Sequence, residues 1–157
     1  MPSTQPVRFD LSVETIAPDE AETLQGLKAS FQEILETTSQ DYGHAVRAVH
    51  AKAHGIARGS ITISEGLPPL LAQGAFAKPG RHDAVIRIST NAGDILDDSV
   101  SLPRGLALKI LDVAGDRLPG SEGDTTQDFI MVNAPAFSAS DPKAFGKNLK
   151  LLTKTTD

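Results

Sequence analysis

The chain has no cysteine and no tryptophan, a single tyrosine, and only 4% aromatic residues in all. The missing thiols exclude disulfides, thiolate nucleophiles and any zinc or iron–sulfur site built on cysteine. They leave the compartment open, since a cysteine-free chain suits oxidising and reducing surroundings equally. Positive charge is also short: 15 Lys+Arg stand against 20 Asp+Glu, a formal net charge of −5 at pH 7. A nucleic-acid binder needs a basic surface to displace counterions, so that class is set aside. No stretch approaches the roughly 20 apolar residues that cross a bilayer. The opening MPSTQPVRFDLS has no apolar core of signal-peptide length. These absences read as a soluble, cytoplasmic protein with no membrane span and no nucleic-acid partner.

What is present is enough for a core. At 157 residues the chain reads as one domain. A chain of this size buries roughly 70% of its unfolded surface, so it needs neither metal nor disulfide to fold.

Residues 1–17 carry prolines and little periodicity and read as an extended N-terminal arm, with the domain proper spanning 18–157. From Pro18, Leu24, Leu27, Phe31, Ile34 and Leu35 recur at helical spacing behind Asp19, Glu20 and Glu22. Acids in the first turn suit the helix dipole, and the stripe predicts one buried face. Four strands follow, at 59–64, 84–90, 105–111 and 128–133. In the second, alternation puts Val85, Arg87 and Ser89 on one side and Ile86 and Ile88 on the other. Turn-rich segments separate them, among them an acidic, glycine-rich loop over 114–127. A last helix over 141–152 is predicted, with Asp141 as N-cap and Pro142 in the first turn. Helix first, then strands about 20 residues apart, predicts an α+β fold: an antiparallel sheet or barrel with helices at its margins.

Three of the four histidines, His44, His50 and His54, fall within eleven residues. Three readings of this cluster stand side by side. On a helix, His50 and His54 would be about 6 Å apart and could share a metal ion. The zinc-protease motif places glutamate after its first histidine, however, and here that place holds Ala51. Extended, the two would be about 13 Å apart and could not share an ion; Gly55 and the strand pattern after it favour extension. They could also be surface or strand-edge histidines without a role. The third reading takes His50, beside Val49 and near Arg47, as part of a pocket wall.

The residues carry a further pattern. RAVHAKAHG at 47–55 resembles the segment of haem catalases that bears the distal histidine. VIRIST at 85–90 is similar to their arginine-phenylalanine-serine-threonine strand, with Ile88 in place of phenylalanine. LPRGLALKI at 102–110 resembles their proline-arginine-glycine strand. NAPAF at 133–137 and DPKAF at 141–145 look like the segments that follow. The five segments come in family order, and the more aliphatic strands resemble the shorter, catalase-related peroxidase branch.

The resemblance implies a catalase-like antiparallel β-barrel, present here in part as about four strands. It implies haem as cofactor and hydrogen peroxide or an organic hydroperoxide as substrate. His50 would be the distal acid–base catalyst, suited by a pKa near neutrality to take and return a proton. Val49 would narrow the approach to the iron, and Ser89 would bond the other ring nitrogen and fix its tautomer. Arg47 and Arg87 would meet the haem propionates, for which a planar charged fork is suited. Phe137 and Phe145 would contact the cofactor, Phe145 on the distal face of its ring. Asn133 is the candidate for orienting peroxide, although ungapped counting from Pro135 places Val132 there, so a bulge is needed to turn Asn133 inward. His54 is read as lying outside the site.

The family's iron ligand is a tyrosine beyond these segments. The only tyrosine here, Tyr42, precedes the distal-histidine segment and matches no proximal motif. The resemblance therefore covers the distal half of the family domain, with no protein ligand for the metal. It predicts either a truncated, N-terminal piece of a longer enzyme or a homo-oligomer that covers the open barrel. The alternative is a non-enzymatic fragment that binds haem weakly or needs a missing C-terminal part.

Overall fold

The computed structural model describes residues 15–44, 47–117 and 120–156. The predicted N-terminal arm lies outside the described residues except for 15–17, which form no regular element. The chain is α+β, with two helices and a four-stranded antiparallel sheet. In chain order the elements are α1 (Glu20–Tyr42), β1 (Ala53–Ile63), β2 (Gly80–Thr90), β3 (Arg104–Ile110), β4 (Gln127–Val132) and α2 (Pro142–Thr153). One turn of 3-10 helix, Gly74–Phe76, separates β1 from β2. The sheet order is β1-β2-β3-β4, and among the described residues the sheet is open, with β1 and β4 at its edges. No described helix is long and apolar enough to cross a membrane.

Every predicted helix and strand is present, and the differences lie at strand ends. β1 starts at Ala53 instead of Gly59, and β2 at Gly80 instead of Ala84. Backbone pairing, not side-chain alternation, decides where a strand begins, and Gly55 and Gly59 erase the alternation at the start of β1. β4 stops at Val132, one residue short of Asn133.

The residues group into two compact units, and each strand divides between them. The described part of the first contains 56–87 and 107–130. Its core holds Ile63, Ala84, Ile110 and Val113, with Ile110 wholly buried. The rings of Phe76 and Phe129 pack at 5.6 Å. Val113 N–H donates to Thr125 O, and Arg117 donates to the carbonyls of Val113 and Asp124, folding the acidic loop onto itself.

The second unit contains 15–55, 88–106 and 131–157. Here α1 packs on α2. The α1 stripe buries Ile34, and α2 buries Leu149, both almost completely; each such side chain contributes roughly 1.5–3 kcal/mol. Thr38 is also buried on α1, its hydroxyl satisfied by Ile34 O at 2.9 Å. Gly43 ends α1 in the left-handed conformation, φ 75°. Asp141 caps α2 as predicted, its Oδ1 accepting from Ala144 N–H at 2.7 Å. Asp19, at the head of α1, makes no such cap: its carboxylate pairs with Lys143 of α2 at 2.5 Å. Lys143 holds that carboxyl below its usual range.

Candidate active site around His50

The site is assembled where the chain enters β1. His50 has φ 52°, in the left-handed region. A residue with a Cβ in such a conformation costs on the order of 1–3 kcal/mol and persists where its surroundings enforce it. Here the backbone is pinned on both sides. His50 N–H donates to Asn91 O at 3.0 Å, Ala51 N–H to Ala92 O at 3.1 Å, and Thr90 N–H to Lys52 O at 3.1 Å.

This bend delivers the imidazole to β2 and β3. His50 Nδ1 lies 3.0 Å from Ser89 Oγ, and Ser89 is only 4% exposed. The ring stands directly over Gly105 of β3: a Cβ added there would lie 2.7 Å from His50 Cε1, 2.8 Å from Nδ1 and 3.0 Å from Ser89 Oγ. Gly105 closes the Pro103-Arg104-Gly105 stretch at the start of β3. Its contact is visible only once β3 lies beside β2.

His54 makes a second pairing. Its Nε2 lies 2.5 Å from Thr90 Oγ1, which also accepts from Arg104 Nη1 at 2.6 Å. Its Nδ1 lies 3.5 Å from Asp98 Oδ1, which pairs with Lys52 Nζ at 2.7 Å. Lys52 above all, with a smaller contribution from His54, holds the Asp98 carboxyl below its usual range. Arg104 reaches the same stretch from β3, its Nη2 donating to Asp98 O at 3.1 Å. Ser89 and Thr90 are successive strand residues and point to opposite faces. The two histidines therefore bond hydroxyls on opposite sides of β2, a geometry that removes the shared-ion reading. Among the described residues no group of three His, Cys, Asp or Glu side chains could hold a metal ion.

Asn133 sits just past the end of β4. It bridges to β3 twice: Oδ1 accepts from Arg104 N–H at 2.7 Å, and its own N–H donates to Arg104 O at 3.0 Å. It is thereby tied to the residue that precedes Gly105. Arg47 is exposed. Val49 is half-buried and lines a pocket of about 210 Å³ with Ile34, Ala92, Leu102 and Leu152. Phe137 is 62% exposed, its ring 5.4 Å from that of Phe145. Phe145 in turn packs 6.3 Å from Phe31 of α1, so it joins the two helices. Arg87 belongs to the other unit, where it lines a groove of about 250 Å³ with Val85, Ala107, Lys109 and Ile130. Of the predicted residues, then, the structure joins His50 to Ser89 directly and Asn133 to the neighbour of Gly105.

Whether these residues suit a haem depends on the side considered. A buried serine holding an imidazole by Nδ1 is the donor arrangement a distal histidine requires. The opposite side has no counterpart: the only tyrosine, Tyr42, closes α1 and its hydroxyl accepts from Ile95 N–H at 3.0 Å. The His50–Ser89 pair is compatible with one face of such a group, and the Tyr42 hydroxyl is engaged by Ile95 N–H. No family model, curated protein or solved structure matches the chain.

Proposed function

We propose that this chain carries the acid–base half of a haem-dependent hydroperoxidase acting on hydrogen peroxide or an organic hydroperoxide. One observation carries the reading: His50 Nδ1 and Ser89 Oγ, 39 positions apart in sequence, meet at 3.0 Å beside a buried strand residue. In this reading Nδ1 anchors the ring on Ser89 and Nε2 exchanges the proton. His50 takes the proton of the peroxide there and returns it to the departing oxygen. A fixed tautomer matters because a ring free to turn presents the wrong nitrogen part of the time.

Haem, when bound, supplies the redox chemistry of O–O cleavage. The chain's own part is to hold, orient and exchange protons. Arg47 would hold a propionate, Val49 would narrow the approach, and Phe137 and Phe145 would pack against the ring. Asn133 would orient peroxide through its Nδ2, since its Oδ1 is engaged with Arg104 N–H. The open sheet is read as part of an antiparallel barrel, completed by further strands or by a second copy in a homo-oligomer. The second reading, a catalase-like fragment that binds haem weakly and catalyses nothing, is favoured by the engagement of Tyr42 at Ile95.

A haemin titration of the purified chain, followed by visible absorption, separates the two. A saturable Soret band of fixed stoichiometry, with peroxide turnover on top, supports the hydroperoxidase. Weak, unsaturable uptake supports the fragment.

A further inference from the structure

We propose that Gly105 is a positioning residue for His50: glycine stands there because the imidazole occupies the space a side chain would fill. The inference deepens the reading of His50 as proton carrier and rests on it for its functional meaning, but the geometry it starts from needs no cofactor.

Conformation does not explain this glycine. Gly105 lies outside the left-handed region, in the strand conformation that any residue adopts. In a strand interior glycine is a liability, costing roughly 0.5–1 kcal/mol against alanine. Space does explain it. A Cβ at 105 would lie 2.7 Å from His50 Cε1 and 2.8 Å from Nδ1, closer than real Cβ contacts come. It would also crowd Ser89 Oγ at 3.0 Å, the partner of that same Nδ1.

The ring cannot easily step aside. Its backbone is held in the left-handed region by the hydrogen bonds to Asn91 and Ala92, which fix where the Cα–Cβ bond points. The left-handed bend at 50 and the missing side chain at 105 thus act as two halves of one device. The first swings the imidazole onto β3, and the second lets it settle there with Nδ1 on Ser89. A methyl group at 105 would force the ring off Ser89 and release its tautomer.

A cycle of four proteins tests this without haem: the native chain, Gly105→Ala, His50→Ala and the double variant. Thermal unfolding should show a drop of several degrees for Gly105→Ala when His50 is present, and little or no drop when the ring has been removed. An equal drop in both backgrounds would overturn the proposal. Histidine side-chain ¹⁵N NMR supplies the readout that a purely structural role would not move. Gly105→Ala should shift the His50 tautomer ratio toward that of a free imidazole, as Ser89→Ala should, while His54 keeps its signals. An unchanged His50 spectrum in folded Gly105→Ala would also overturn it. Should Gly105→Ala fail to fold, the double variant must fold for the proposal to survive. Because no arm uses haem, a failed haemin titration would sink the hydroperoxidase and leave the His50–Gly105 fit standing.

Discussion

His54 Nε2 meets Thr90 Oγ1 at 2.5 Å, one residue along β2 from the Ser89 hydroxyl that His50 Nδ1 meets at 3.0 Å. Two histidines four positions apart thus hold the two faces of a single strand. The His50 ring stands against Gly105, and the His54 ring stands within reach of Asp98 and close to Lys52 and Arg104. On the proposed reading His50 carries the chemistry, and His54 ties β1 to the connection between β2 and β3.

Ser89→Ala should leave the chain folded but loosen His50. The buried hydroxyl makes a single neutral bond to the ring, so the expected loss of stability is about 1 kcal/mol. Peroxide turnover of haem-loaded protein should fall about 10–100-fold, the usual effect of removing a partner that orients a functional histidine. Thermal unfolding and initial rates measured together check this, because a purely structural serine would lower stability without a comparable loss of rate.

The Lys52–Asp98–His54 contacts should make the connection between β2 and β3 sensitive to acid. Lys52 holds the Asp98 carboxyl below its ordinary value of 3.8. A depressed carboxyl stabilises the fold above its unfolded pKa and loses that contribution as pH falls through the folded one. Protection of the 95–102 amides, corrected for the intrinsic pH dependence of exchange, should therefore stay constant from neutral pH down to about pH 4 and fall below it. Asp98→Asn should exchange faster at neutral pH and lose most of that dependence. Because Asp98 is 71% exposed, added salt should weaken the effect in the native chain.

Gly93→Ala should be costly whatever His50 does. A Cβ at 93 would lie 2.7 Å from Ala48 O, a backbone atom in the segment leading to His50, and 2.7 Å from Ile34 Cγ2. A main-chain carbonyl cannot turn away as a side chain can, so a destabilisation of about 1–3 kcal/mol is expected. Chemical denaturation measures it, and an unchanged midpoint would show that the segment can shift.

Much of this fold was legible in the sequence because its signals are local. The α1 stripe around Ile34 and the Asp141 cap of α2 need only neighbours within a turn or two, and both are present. The strand starts were misplaced because Gly55 and Gly59 carry no alternation, while the ladder that defines β1 depends on its partner. The same limit applies to the site. His50 and Ser89 could be paired only through the family resemblance, and the structure places them together. Gly105 was invisible as a steric partner, since the ring and the hydroxyl it meets are remote from it in sequence. The attachment of Asn133 to Arg104 and of His54 to Thr90 likewise depends on register, which a period-two pattern does not encode. Closure into a barrel is a property of strand number and tilt, and alternation within strands carries no information about it.

On the proposed reading His50 moves the proton. The most direct test compares His50→Ala with His54→Ala in haem-loaded protein, with peroxide turnover measured across pH and haem uptake matched by absorption. The account predicts that His50→Ala removes turnover while retaining the haem spectrum, and that His54→Ala changes turnover by no more than its effect on folding. Equal turnover in native and His50→Ala protein, or loss confined to His54→Ala, would contradict it.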